Sequence, residues 1–155
     1  QETSGSVSQT LPAAETFDFQ AQDHLAWPIS GNVVLDYSMD GTIYFLTLKQ
    51  YRYNPAIVIS GAVGTPVTAA ADGKVTDVSV HAETGTTVTG DLGGGYTAIY
   101  GQLKEVPVKE GSVLSAGDLV GYVSEPTKYY STEGSNLYFA LQKDGAPTDP
   151  VEYLQ

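Results

Sequence analysis

The sequence contains no cysteine. Disulfide bridges and thiolate metal ligands are therefore both excluded, so an apolar core and backbone hydrogen bonds must hold any fold together. The absence leaves the redox compartment open, because an exported protein and a cytosolic one both fit it.

Basic residues are scarce. The 155 residues include 7 Lys and Arg against 18 Asp and Glu, which gives a formal net charge of −11 at pH 7. Such a chain repels polyanions, so we expect no nucleic-acid partner. It also repels anionic lipid head groups and anionic wall polymers, so binding at a cell surface must depend on local contacts.

Long apolar runs and helical patterns are missing as well. No run could span a bilayer and nothing resembles a signal peptide, so a membrane anchor would have to precede Gln1. No stretch of three or more turns carries an apolar stripe at helical spacing. The 17 glycines, 8 prolines and 11 tyrosines instead favour short strands and tight turns. These features predict one all-β domain with little helix.

The start of the chain differs in composition from the remainder. Residues 1–26 are rich in Gln, Ser, Thr, Ala and Glu, which predicts a flexible N-terminal stalk or linker. Folded structure is expected over residues 27–155, beginning at the Trp27-Pro28 pair.

The clearest strand signal lies at residues 95–103, where side chains alternate between two faces. One face is expected to lie in the core and the other to form a functional surface. The expected core face carries Thr97, Ile99, Gly101 and Leu103, and the other face carries Tyr96, Ala98, Tyr100 and Gln102.

Two segments share a pattern. Residues 64–78 and 111–123 each contain a glycine, aliphatic or β-branched residues, small residues, a turn made by Asp and Gly, and a second strand. We interpret them as a worn internal duplication.

Three strands present comparable polar faces. They carry Asn54 and Val58, Tyr100 and Gln102, and Asn136 and Tyr138. None of these side chains is charged at neutral pH, although acid-base catalysis needs a group that titrates and metal binding needs carboxylate, imidazole or thiolate donors. The two histidines, His24 and His81, lie elsewhere in the chain and are expected to be ordinary surface residues.

Several short motifs stand in a recognisable order. They are Gly64-Thr65-Pro66-Val67 with residues 69–73, Gly95-Tyr96 leading to Tyr100-Gly101-Gln102-Leu103, residues 117–121, and Asn136-Leu137-Tyr138-Phe139 with Asp149-Pro150. With these motifs the chain resembles the LytM or lysostaphin type of zinc metallopeptidase, which cuts peptidoglycan cross-bridges. The resemblance covers roughly residues 27–154 and implies a barrel-sandwich fold built on a duplicated hybrid motif.

The resemblance also implies a site, whose residues have all changed here. Active members carry His-x-x-x-Asp, then Tyr-Ala-His-Leu, then His-Leu-His-Phe. Carried over, the two zinc ligands of the first pattern fall on Asn54 and Val58, and the catalytic imidazole of the second falls on Gln102. The catalytic imidazole of the third falls on Asn136 and its ligand imidazole on Tyr138. Catalytic zinc needs three strong donors, so we expect no enzyme activity and no cofactor.

The leading hypothesis is a non-catalytic binding module outside the cytoplasm, at the cell surface or anchored to a membrane. Its former substrate groove would bind a peptidoglycan fragment or an envelope protein partner, in division or in sporulation. Tyr53, Tyr100, Tyr129 and Tyr130 are the expected ligand contacts, because tyrosine combines rigid apolar area with one hydrogen-bonding tip.

Two alternatives stay open. One is residual peptidoglycan hydrolysis through a relocated metal, for which His81 and Glu83 supply at most two donors. The other is a carrier domain of the lipoyl or biotinyl kind, which would display Lys74 at the tip of a hairpin.

Overall fold

A computed structural model describes residues 17–155 and shows twelve strands in that range. The strands are β1 Val33–Leu35, β2 Ser38–Phe45, β3 Gln50–Asn54, β4 Ala56–Ser60, β5 Pro66–Thr68, β6 Gly73–His81, β7 Gly85–Gly93, β8 Tyr96–Lys104, β9 Val113–Leu114, β10 Leu119–Val123, β11 Asn136–Lys143 and β12 Ala146–Thr148. The described residues contain no α-helix, only a short 3-10 turn at Pro150–Glu152. The all-β prediction is confirmed. None of the described residues belongs to a helix long and apolar enough to cross a membrane.

Ten strands form one sheet, and two form a separate ribbon. The main order is β1-β4-β11-β8-β7-β6-β9, with β10 joining β5 to β8 and β12 pairing with β11. Strands β2 and β3 pair only with each other. The centre of the main sheet therefore consists of β4, β11 and β8, which are long neighbours in space although distant in sequence.

The strands of the two duplicated segments pair with each other. In the first, β5 and β6 flank the Asp72-Gly73 turn, and in the second, β9 and β10 flank Gly117-Asp118. Strand β5 pairs antiparallel with β10, and β6 pairs antiparallel with β9. Each strand of one repeat thus forms backbone hydrogen bonds with a strand of the other, in agreement with the duplicated-motif interpretation.

Lys74 does not lie at a hairpin tip. It is the second residue of β6 and pairs with Asp91 of β7 on one side and with Val113 of β9 on the other. A carrier domain needs its lysine at an exposed turn, so the structure removes the basis for that alternative.

Strand β4 is buried on both faces. Ile57 and Ile59 belong to the main core together with Leu137 and Phe139 of β11. Val58 points the opposite way, into a smaller group of buried side chains. Since Pro55 has no backbone N–H to donate, the strand begins immediately after it. Its continuous apolar run reflects this burial on two sides.

The described part of the expected linker, residues 17–26, packs on the domain. Phe19 and Leu25 are buried in the main core. Their backbone N–H groups donate to the carbonyl oxygens of Leu92 at 3.1 Å and Tyr153 at 2.7 Å. Two large apolar side chains thus dock this ten-residue segment on the domain. Residues 1–16 of the expected linker lie outside the described range.

Gly93 allows this docking. Its φ of +81° is one that glycine adopts readily, and a Cβ built there would lie 1.7 Å from the carbonyl oxygen of Phe17. A single bridge joins Asp18 to Gly93 at the same point. The close approach of two backbones thus depends on the missing side chain.

Candidate functional site

Three adjacent strands bring most of the five changed positions together. Tyr138 of β11 pairs with Val58 of β4 on one side and with Gly101 of β8 on the other. Asn136 lies two residues before Tyr138 and therefore on the same face of β11. Asn54 ends β3, next to the start of β4.

The face of Val58 and Tyr138 is covered by an apolar cluster. Leu35, Phe45, Val58 and Tyr130 are its buried members, and we call these four residues the second cluster. The ring centroids of Phe45 and Tyr130 lie 6.4 Å apart, and those of Tyr130 and Tyr138 lie 6.5 Å apart. Because Val58 is fully buried under these rings, the expected open groove is absent at this point.

Tyr130 comes from a long loop, residues 124–135, which we call the covering loop. Near its start, the N–H of Thr127 donates to Oε1 of Gln102 at 3.0 Å. Near its end, the N–H of Thr132 donates to Oγ1 of Thr47 at 2.7 Å, and Glu133 accepts from the Thr47 hydroxyl. Both ends are therefore tied down, which holds Tyr130 over the sheet.

Gln102 has an unusual backbone. Its φ is +64°, and the pairing of β8 with β7 shifts at this point, from Val88 opposite Tyr100 to Thr86 opposite Leu103. Two residues of β8, Gly101 and Gln102, thus lie opposite the single residue Thr87 of β7, which is a β-bulge. The bulge breaks the two-residue alternation, so Tyr100 and Gln102 do not share a face.

Before the bulge the predicted faces of this strand were therefore wrong, whereas Leu103, which follows it, lies in the main core as predicted. Tyr96, Ala98 and Tyr100 lie in the main core, whereas Thr97 and Ile99 are partly exposed. The hydroxyl of Tyr100 accepts a hydrogen bond from the N–H of Ala70 at 2.9 Å, and burial raises its pKa to about 12. Tyr100 is a core residue and offers no surface to a ligand.

The four expected tyrosine contacts thus separate into three environments. Tyr100 and Tyr130 are buried, Tyr129 is half-buried against the second cluster, and Tyr53 is 57% exposed. The ammonium of Lys128 lies 5.9 Å from the ring centroid of Tyr129. Only Tyr53 and part of Tyr129 can meet a partner without movement of the covering loop.

The residues at the changed positions do not fit a zinc ion. Val58 has no donor atom, and the amide nitrogen of Asn54 is turned to the carbonyl oxygen of Asp36 at 2.8 Å. Burial, and secondarily the charge of Glu83, raise the pKa of Tyr138, so its phenol stays neutral at physiological pH. Burial likewise raises the pKa of Tyr130.

The histidines do not compensate. Nε2 of His81 lies 2.9 Å from the hydroxyl of Ser79, at the exposed end of β6, and His24 lies in the N-terminal segment. Glu83, the second expected donor, is 3.6 Å from the guanidinium of Arg52. Within residues 17–155 no three His, Asp or Glu side chains are placed to hold a metal ion.

Several residues of the site were not foreseen from the sequence. Leu35 and Phe45 supply the wall of the second cluster, and Arg52 lies over the Phe45 ring at 5.3 Å from its centroid. Thr47 anchors the covering loop. The sequence around them indicated only strand-like segments, because a contact between distant segments leaves no local pattern.

The model of Peptidase family M23 matches residues 52–150 of this chain. The chain belongs to peptidase family M23. The matched range runs from β3 to the 3-10 turn, so the M23 domain contains both repeats and all five changed positions. The resemblance inferred from the sequence motifs is thereby confirmed.

Relatives of this M23 domain include a curated bacterial protein and several solved structures. A lipoprotein NlpD/LppB homolog of Pseudomonas aeruginosa is 28% identical over 134 residues, which are 83% of this chain and 39% of that protein. Csd3 of Helicobacter pylori is 25% identical with a TM-score of 0.72, over 87% of this chain and 36% of that one. The chain thus spans well under half of each.

A third match covers most of both chains. A chain in the structure of the SpoIIQ-SpoIIIAH pore-forming complex gives a TM-score of 0.75 at 19% identity, over 87% of this chain and 93% of that one. At this identity the likeness shows the fold alone.

Proposed function

We propose that this chain is a non-catalytic binding module of family M23, that it acts outside the cytoplasm, and that it binds a protein partner of the cell envelope. The observation that carries the proposal is the second cluster. Apolar side chains occupy the face on which the family pattern places its zinc ligands, and Val58 stands at one of those positions. Zinc-assisted hydrolysis needs three strong donors and an open position for water, and neither is available on this face.

The surface that remains for a partner is the outer face of the β2–β3 ribbon. Tyr44, Tyr51 and Tyr53 project from it, opposite the side that packs on the second cluster. Tyr44 and Tyr51 are a cross-strand pair with ring centroids 5.1 Å apart, and Tyr51 is 72% exposed. Tyrosine is enriched in protein interfaces because it combines apolar area, rigidity and a hydrogen-bonding hydroxyl.

The comparisons support a location outside the cytoplasm and a protein partner. One relative is a lipoprotein homolog, and a chain of the same fold is part of a pore-forming complex of two proteins. A fold that supports assembly in that complex is compatible with partner binding here. The formal net charge of −11 disfavours anionic wall polymers, so a protein partner is preferred over a wall fragment.

Affinity capture from envelope extracts of the native host tests the proposal. The parent chain is compared with Tyr51→Ser/Tyr53→Ser and with Val80→Ser, a matched exposed site 78% accessible on β6. We expect the tyrosine variant to lose the partner and the Val80 variant to keep it, with both variants unfolding like the parent. Equal recovery by all three chains would place the binding surface elsewhere.

Two further measurements address the other hypotheses. Sedimentation with purified sacculi detects a wall fragment as the ligand, in which case the parent chain would pellet with them. Stoichiometric zinc in the purified protein, together with release of muropeptides, would establish the relocated-metal hydrolase and overturn the proposal.

A further inference from the structure

Two buried amides at the former catalytic positions each have one atom without a protein partner. Within residues 17–155, Nε2 of Gln102 and Oδ1 of Asn136 are the buried side-chain atoms that make no hydrogen bond. Both side chains are 0% exposed. An unpaired polar atom in such a place is unfavourable, so native structures normally supply a partner.

The roles of the two atoms are fixed by their neighbours. Oε1 of Gln102 accepts from the N–H of Thr127 at 3.0 Å, so the unpaired atom of Gln102 is the nitrogen, a donor. Nδ2 of Asn136 donates to the carbonyl oxygen of Gly134 at 2.6 Å, so the unpaired atom of Asn136 is the oxygen, an acceptor. Rotating either amide group by 180° would place a donor against a donor or an acceptor against an acceptor.

The two amides lie on the same side of the sheet. Strands β8 and β11 are hydrogen-bonded neighbours, and Asn136 shares the face of Tyr138 because Leu137 between them points into the main core. The left-handed backbone of Gln102 turns its side chain to Thr127 of the covering loop. Each amide is thus hydrogen-bonded to the covering loop, Gln102 to Thr127 and Asn136 to Gly134.

We propose that one water molecule is bound between Nε2 of Gln102 and Oδ1 of Asn136, enclosed by the covering loop. Water both accepts and donates, so a single molecule satisfies the two atoms at once. Neither amide takes up or releases a proton at neutral pH, so this water is oriented and is not activated for attack. The site is a structural water site at the two positions where the family pattern places imidazoles, and it does not depend on any partner.

A high-resolution crystal structure of the whole chain tests the proposal directly. We expect one ordered water at about 3.2 Å or less from both atoms, with the two amides oriented as described. A direct hydrogen bond between the amides would overturn the proposal. Density without a shared water would overturn it equally.

A double-mutant cycle tests the same site in solution. Gln102→Met and Asn136→Leu keep the side-chain volumes close to those of the parent while removing the two polar atoms. If both atoms share one water, the double variant should be less destabilised than the two single effects predict, by about tenfold in the unfolding equilibrium constant. Additive effects would contradict a shared water.

The control pairs Gln102→Met with Tyr96→Phe. Tyr96 is also buried and its hydroxyl lies 3.0 Å from that of Tyr153, but it stands six residues before Gln102 on β8. This separation is about 20 Å along an extended strand, so the control cycle should be additive. Coupling of equal size in the control cycle would show that the coupling does not report a shared water.

Discussion

Replacement of Tyr130 by alanine is the sharpest test of the closed site. Tyr130 is 1% exposed and is the part of the covering loop that enters the second cluster. In the Tyr130→Ala variant, Phe45, Val58 and Tyr138 lose the ring that covers them. The loop would then keep its polar contacts at the two ends and the partial packing of Tyr129.

The size of the effect follows from the ring that is removed. Burying a tyrosine takes about 150–250 Å² out of water, and truncation of a buried aromatic side chain to alanine costs about 3–5 kcal/mol. A surface loop can relax more than a strand, so we expect the lower end, about 3 kcal/mol. Tyr130→Phe keeps the ring and should cost less than about 1 kcal/mol.

Urea unfolding at neutral pH measures these differences, and amide hydrogen exchange shows whether residues 124–135 lose protection before the sheet does. Tyr51→Ala is the matched control, since it makes the same chemical change at a side chain that is 72% exposed. We expect the control to change stability by less than about 1 kcal/mol. A Tyr130→Ala variant as stable as the control would refute the interpretation that Tyr130 closes the site.

Three further predictions concern buried groups and glycines. Val58→Asp places a carboxylate in the second cluster, where burial raises the pKa of the carboxyl group in the folded chain. The loss of stability should therefore grow by about 2 kcal/mol from pH 4 to pH 7. Urea unfolding that shows an equal loss at both pH values would contradict this. Burial raises the pKa of Tyr100 in the folded chain to about 12, so its unfolded form ionises first and Tyr100 alone should contribute a loss of about 2 kcal/mol between pH 9 and pH 12. In the same titration Tyr100→Phe should lose less stability than the parent by that amount, and equal losses in the two chains would contradict this. Gly93→Ala should cost more than about 3 kcal/mol by thermal unfolding, because its Cβ meets the backbone of Phe17. Gly64→Ala, at a similar φ but with open space around it, should cost about 1 kcal/mol, and equal losses would show that the contact with Phe17 is unimportant.

Local patterns predicted much of the fold. Alternating side chains and turn residues located the strands, and Pro55 marked the start of β4. The repeated pattern at residues 64–78 and 111–123 anticipated the paired repeats, since each of its parts is a local turn or strand signal. These features depend on neighbours in the chain, which a sequence displays directly.

The faces of β8 could not be predicted in the same way. A left-handed residue in a strand is normally glycine, and Gln102 carries no sign that it adopts this conformation. One extra residue at the bulge reverses the faces, so the alternation was read in the wrong phase.

The closure of the site could not be predicted from the sequence either. The five changed positions were found through their resemblance to a family, and the loss of donor atoms followed from their chemistry. That Tyr130 covers Val58 depends on a contact between residues 72 positions apart, and such a contact has no local signature. The sequence therefore predicted an open groove at a point where the structure has the buried side chains of the second cluster.

The exchange of strands between the repeats affects how the chain can fold. Because β5 pairs with β10 and β6 with β9, neither repeat is a complete unit, and a nascent chain that ends before residue 119 lacks the partner of β5. Such long-range pairing gives a high contact order, for which folding times are in the range of milliseconds to seconds. During synthesis, unpaired strand edges would stay exposed until the second repeat emerged, which is the interval when a chaperone would be most useful.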